Sequence, residues 1–317
     1  MVAPTPALPA GSTPMPTAPT SMPATVLTAT PVLPNTAAAV ATATAPATVT
    51  PAVTPPAPTL PGDYVEAIQS GGQTRHYRLH VPPGYRPDEP MPLVINLHGL
   101  GSSMDQQALL SGASEKADEA GFVVVYPQGS DVPRMWHGEP SPAGRADVQF
   151  IRDMVAHLQA RLNIDPGRIY ATGFSNGGGM AHRLACDLSD TIAAIGPVAG
   201  AYLLDERCTP ERPVPVIVFH GTADPIVPYE GQGRGLPPVR TWAARWAARN
   251  GCDGEPAIIL EQGSVTAEAW GGCDEGADVV LYTIRGGGHT WPRDGRIASG
   301  IHATDLVWAF FEAHPKR

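Results

Sequence analysis

RIYATGFSNGGGMAHRLAC, residues 168 to 186, decides the fold. Its first part is rich in β-branched and aromatic residues and reads as a buried strand, while the part after Ser175 has helical spacing. Gly173 and Gly177 stand two residues either side of Ser175. A sharp strand-to-helix turn needs that arrangement, because the central residue takes a strained φ and neighbouring Cβ atoms would collide. Gly178 and Gly179 let the helix approach the strand closely. The pattern GxSxG is weak alone, but here it falls after a strand and opens a helix, the context that makes a serine hydroxyl prominent.

Working outward, MPLVINLHG (91–99), FVVVYPQG (122–129), IAAIGPVAG (192–200), VPVIVFHG (214–221) and DVVLYTIR (278–285) are continuous apolar runs and read as buried strands. Between or after them lie helical stretches at 102–121, 147–162, 239–251 and 303–314. In the second of these, Val148, Ile151, Val155, Leu158 and Leu162 recur at spacings of three and four, an amphipathic face. Alternating buried strands and helices imply an α/β domain with a mostly parallel central sheet and helices on both faces. The more polar DYVEAIQS (63–70) and RHYRLHVPP (75–83) fit antiparallel strands at the sheet's edge. Only AYLLDERCTPERP (201–213) separates the fourth of those apolar runs from the third, too little for a lid domain.

Of the 317 residues, the first 62 hold no Asp, Glu, Lys or Arg, no aromatic, and fifteen of the chain's 36 prolines. Such a segment cannot build a core and reads as an extended linker, leaving 63–317 as one catalytic-size domain. No apolar run reaches membrane-spanning length. The net charge of −9 lies wholly in the domain and argues against nucleic acid as a partner. Cys186, Cys208, Cys252 and Cys273 lack the CxxC spacing of a metal or redox site. Their even number fits two disulfides, with four buried thiols as the alternative. Cys186 with Cys208 and Cys252 with Cys273 would each close a short local loop, although other pairings are possible. A Pro/Thr-rich linker and paired cysteines favour a secreted or surface-tethered protein whose export signal lies upstream of Met1.

A serine hydroxyl needs a base to take its proton and a carboxylate to orient that base. Asp224, in FHGTADPIVP, follows a buried strand, and His289, in RGGGHTWP, follows the last one. Ser, Asp, His is the chain order expected of a catalytic triad on this architecture. The oxyanion requires two preorganised N–H donors, which Asn176 and the Gly-flanked Leu100 can supply. His98 and His220, each before a glycine at a strand end, read as structural hydrogen-bonders, and Asp147, Asp187 and Asp190 as helix caps. Trp136 and Trp291 could face the acyl group and stack on an aromatic ring, with plain packing the competing reading.

The segments LHGLGSS, YPQGS, GFSNGGGMAHRLAC, FHGTADPIVPY and GGGHTWP resemble the extracellular feruloyl esterase and polyhydroxybutyrate depolymerase group of α/β-hydrolases across nearly the whole domain. That resemblance implies a triad of Ser175, Asp224 and His289, with Leu100 and Asn176 as oxyanion hole. It implies action without cofactor or metal on esters of hydroxycinnamic acids with plant polysaccharide, on short acyl esters, or on polyesters. The expectation is a monomeric, lidless, secreted serine carboxylesterase acting on an aromatic or polymeric ester. A polyhydroxyalkanoate or aromatic polyester depolymerase, or an acyltransferase with the same triad, is the alternative.

Overall fold

The computed structural model describes residues 60–202, 208–231, 235–293 and 300–316. Most of the segment read as linker, residues 1–59, therefore lies outside the described residues. Ten strands form one sheet in the order β1-β2-β4-β3-β5-β6-β7-β10-β9-β8. The inner strands β4 (Val123–Pro127), β3 (Met91–Leu97), β5 (Ile164–Phe174), β6 (Ile195–Val198), β7 (Val216–Gly221) and β10 (Val279–Ile284) run parallel. β1 (Gly62–Ser70) and β2 (Gln73–Val81) form an antiparallel hairpin at one edge, turned through Gly71 and Gly72 at φ 56° and 79°. β8 (Ala257–Gln262) and β9 (Val265–Trp270) form another at the opposite edge. The chain is thus an α/β-hydrolase-type fold whose sheet is mostly parallel.

Strand side chains alternate between two apolar layers, which is why the inner strands read as unbroken hydrophobic runs. Leu93, Ile95 and Leu97 of β3, with Val216 and Val218 of β7, pack against α3 (Pro142–Gln159), α4 (Asn176–Asp187) and α5 (Val239–Arg249). Val94 of β3, with Ile217 and Phe219 of β7, joins the opposite layer with α2 (Ala113–Ala120) and α6 (Ala303–Ala313). Each such aliphatic side chain contributes roughly 1.5–3 kcal/mol by leaving water.

Three features depart from the sequence reading. The stretch 102–121 is two helices, α1 (Met104–Ser111) and α2, because Gly112 takes φ 63° and ends the first. The β8–β9 hairpin has no counterpart in the sequence reading because β8 is mostly exposed, so its apolar residues follow no buried pattern. None of Asp147, Asp187 and Asp190 is a cap: α3 starts five residues before Asp147, with Ser141 accepting from Gly144 N at 3.0 Å, while the Asp187 and Asp190 carboxylates accept from Arg183 and Arg152. Asp147 is instead buried, bound to Arg75 at 2.9 Å. Two disulfides join Cys186 to Cys208 and Cys252 to Cys273. Between β6 and β7 the described residues contain no helix, and 203–207 lie outside them. Among the described residues no helix is long and apolar enough to cross a membrane.

Candidate active site

Ser175 sits between β5 and α4 at φ 54°, ψ −115°, a conformation that costs a non-glycine residue energy. Backbone bonds hold it there: its N–H donates to Val198 O at 3.0 Å, and its carbonyl accepts from Ala201 N at 2.9 Å. The turn is tight enough to exclude side chains on both flanks. A Cβ on Gly173 would lie 2.6 Å from the Gly177 carbonyl, and one on Gly177 would collide with Leu97 O. The Ser175 hydroxyl does not cap the helix it precedes. The side chain is therefore presented at the carboxyl ends of the parallel strands, nearly buried at 8 % exposure.

Asp224 follows β7 and His289 follows β10, which are neighbouring strands. Backbone bonds knit the two loops: Thr222 N donates to Ile284 O at 2.9 Å and Ala223 N to Gly287 O at 2.9 Å. Asp224 Oδ1 accepts from the N–H groups of Ile226 and Val227, both at 2.8 Å. Its Oδ2 accepts from His289 Nδ1 at 2.7 Å. Burial by itself would raise the carboxyl's pKa, but contacts from His220, His289, Val227 N–H and Ile226 N–H together hold it well below the usual carboxylate range. An ionised carboxylate only accepts, so His289 carries its proton on Nδ1 and leaves Nε2 as an acceptor. The Phe174 ring lies 4.7 Å from the His289 ring, so the residue before the serine packs on the imidazole. Among the described residues the Ser175 hydroxyl is not hydrogen-bonded to His289; such nucleophile–base contacts are commonly long before substrate closes the site.

The loop after β3 closes the other side. A methyl on Gly99 would sit 3.5 Å from Ser175 Cβ and 3.2 Å from the Phe174 ring. Among the described residues the next N–H, that of Leu100, donates to no backbone carbonyl, whereas Gly101 N is spent on Arg134 O at 2.7 Å. Asn176 is the first residue of α4, where N–H groups lack intrahelical partners. Both N–H groups thus stand beside the serine without an obligatory backbone acceptor.

His98 is the structural hydrogen-bonder that its place in the sequence suggested, whereas the bracing roles of Trp136 and the Asn176 side chain behind this loop went unread. His98 is fully buried, donates from Nδ1 to Gly99 O at 2.8 Å and accepts at Nε2 from Gly129 N at 2.9 Å. Burial is the main cause that lowers its pKa, so it stays neutral, as its accepting Nε2 requires. The Asn176 side chain pairs with the Trp136 backbone twice, accepting its N–H at 2.7 Å and donating to its carbonyl at 2.8 Å. Trp136 is not an open pocket wall: it is 1 % exposed, and its Nε1 donates to His98 O at 3.1 Å. Trp291 is likewise buried, with Nε1 donating to Thr304 Oγ1 at 3.0 Å. Each indole braces a site loop, because an N–H at the end of a large apolar ring is best satisfied inside the core. A GxS motif announces a serine, whereas contacts between residues 98, 136 and 176 exist only after folding.

His182, Cys186 and Cys208 place ligand-type atoms within 4.8 Å of one another. Both sulfurs are used in the disulfide, so the trio offers a metal only one imidazole.

The chain matches the family described as Esterase PHB depolymerase over residues 75–227. It is 36% identical over 228 residues to feruloyl esterase B of Piromyces equi, covering 67% of this chain and 42% of that protein. It is 30% identical over 250 residues to feruloyl esterase C of Emericella nidulans, covering 75% of this chain and 84% of that one. Among solved structures it resembles an acetyl xylan esterase from Aspergillus awamori, with a TM-score of 0.61 at 16% identity over 78% of this chain and 99% of the other.

Proposed function

Because the chain belongs to the feruloyl esterase and polyhydroxybutyrate depolymerase group of α/β-hydrolases, we propose that it is a serine carboxylesterase in which Ser175, His289 and Asp224 form the triad. His289 Nε2 takes the Ser175 proton as Oγ attacks the ester carbonyl, and Asp224 holds the imidazolium that results. The N–H groups of Leu100 and Asn176 receive the oxyanion. The alcohol leaves with the proton from His289, and water, activated by the same imidazole, then hydrolyses the acyl-enzyme. The observation that carries this reading is the 2.7 Å contact between His289 Nδ1 and Asp224 Oδ2, made beside a serine on a strained strand-to-helix turn.

Feruloyl esters are the substrates favoured by the names of the relatives. A polyester chain is the second reading, favoured by Leu100, Val132 and Ile226. These aliphatic side chains are 59 %, 100 % and 65 % exposed, on the loops after β3, β4 and β7. Water-facing aliphatics around a polar centre suit a flat apolar substrate. The two disulfides support an oxidising, extracellular setting, in which the Pro-rich residues 1–62 act as a spacer and the domain works as a monomer.

Ester hydrolysis by wild type and Ser175→Ala tests the centre. The variant should retain only the small residual supplied by the oxyanion donors and binding. A loss below about tenfold would overturn the assignment. Turnover of methyl ferulate, short acyl esters, polyhydroxybutyrate and an aromatic polyester, measured side by side, separates the two substrate readings.

A further inference from the structure

His220 is the penultimate residue of the buried strand β7 and is four residues before Asp224. Its side chain has no exposure. Two atoms stand in front of its Nε2: Val227 O at 2.8 Å and Asp224 Oδ2 at 3.3 Å. Both can only accept, so Nε2 must carry a proton. The N–H is directed at the Val227 carbonyl, with the carboxylate oxygen beside it as an electrostatic neighbour. Nδ1, by contrast, is buried without a hydrogen-bond partner among the described residues. The flanking rings of Tyr202 and Tyr229 lie 6.5 and 6.0 Å away, and the Tyr229 hydroxyl is engaged with Thr283 Oγ1 at 2.7 Å. All polar work of this histidine is therefore done at one nitrogen, toward one turn.

That turn is the one that aims the acid. Its N–H groups at Ile226 and Val227 hold Asp224 Oδ1, and its carbonyl at Val227 is what His220 holds. We propose that His220 is a positioning residue of the triad: its Nε2–H ties the 224–227 turn to the end of β7 and turns a positive edge toward Asp224 Oδ2, fixing the oxygen that receives His289. The role rests on the reading of Ser175, Asp224 and His289 as a triad. Without that edge, Oδ2 offers its charge to His289, and the 224–227 turn loses the bond that ties its far end to β7, keeping the N–H bonds to Oδ1 and the main-chain bonds at Thr222 and Ala223. The imidazolium is then held more tightly and less accurately, which slows proton transfer while leaving substrate contacts alone.

A leucine removes the donor and keeps apolar bulk. Glutamine can put an amide N–H where Nε2 stands. His220→Leu should lower kcat by about 10- to 100-fold with KM within about twofold, and should move the acid limb of the kcat/KM profile to higher pH. His220→Gln should recover most of kcat and the wild-type profile. Both are read against Ser175→Ala on the same soluble ester, with circular dichroism confirming folding. If His220→Leu is unfolded, the Gln variant decides alone: a folded His220→Gln with a profile like wild type supports the role, and one whose kcat falls 100-fold overturns it. Equal kcat and identical pH profiles for wild type and a folded His220→Leu would overturn it outright. Activity surviving in Ser175→Ala would instead sink the triad on which it rests.

Discussion

The two sides of the candidate site are built from different kinds of bond. On the acid–base side the loops carrying Asp224 and His289 are laced by main-chain hydrogen bonds, Thr222 to Ile284 and Ala223 to Gly287. On the oxyanion side the loops after β3 and β4 are held mainly by side chains: the His98 imidazole, the Asn176 amide and the Trp136 indole. The cause lies in the sheet. β7 and β10 are adjacent and parallel in register, so the backbones leaving their ends are already neighbours. The loops after β3 and β4 diverge into α1 and a long connection to α3, and apart from the main-chain bond from Gly101 N to Arg134 O it is side chains that bridge the gap. One side should therefore lose chemistry without losing stability, and the other should lose both together.

The sharpest separation comes from Asp224→Asn. Its Oδ1 can still accept from Ile226 and Val227, so the turn survives. The amide that replaces Oδ2 donates toward His289 Nδ1 and drives the imidazole proton to Nε2, where it blocks deprotonation of Ser175. The rate should fall by about 10⁴-fold while the melting temperature moves little. A variant that unfolded before it lost activity would break the contrast.

Asn176→Ala tests the opposite side. The main-chain N–H assigned to the oxyanion remains, but both bonds to the Trp136 backbone go, leaving a donor and an acceptor unpaired. Stability should fall by about 2 kcal/mol. The loop shift should cost about 10- to 100-fold in kcat, since small misplacements of positioned groups are expensive. A rate loss with an unchanged denaturation midpoint would show that the two sides are held alike.

The same difference governs what the sequence could disclose. Inner strands were readable because burial on both faces makes runs such as VINL and VIVF uniformly apolar. The serine turn was readable because Gly173 and Gly177 must lack side chains at that closeness. Asp224 and His289 were findable because each follows a recognisable strand. Asp147 looked like a cap because its salt-bridge partner, Arg75, is 72 residues away. Trp136 read equally as a pocket wall or as packing because its partners, His98 and Asn176, lie 38 and 40 residues off. The β8–β9 hairpin was missed because Ile258 and Ile259 are 60 % and 55 % exposed, so burial imposes no alternation there. Local sterics leave a trace in local sequence, whereas a buried polar bridge leaves only polar residues with no visible partner.

The smallest effect concerns how the oxyanion side responds to acid. His98 accepts two hydrogen bonds at Nε2, from Gly129 N at 2.9 Å and Gln128 Nε2 at 3.0 Å, so protonation there would turn both contacts repulsive. Burial lowers its pKa first and Arg134 adds to this, while the bond to Gly99 O and the charge of Asp147 pull the other way without prevailing. Its folded pKa thus lies below the unfolded value of about 6.5. The unfolded chain binds the proton more readily, so the stability drawn from neutral His98 is complete above about pH 6.5 and is lost as pH falls toward the folded value. One site can change stability by at most about 1.4 kcal/mol per pH unit. His98→Gln removes the titration but leaves an amide oxygen that can accept from Gly129. Urea unfolding at pH 7.5 and 5.5 should therefore show wild type the more stable at the higher pH, with the gap to the variant narrowing by up to about 1 kcal/mol at the lower. Titrations elsewhere in the chain are common to both proteins and cancel in that gap. A gap that stayed constant would mean that the imidazole does not need to be neutral, and that the bonds at its Nε2 are not what holds the oxyanion side together.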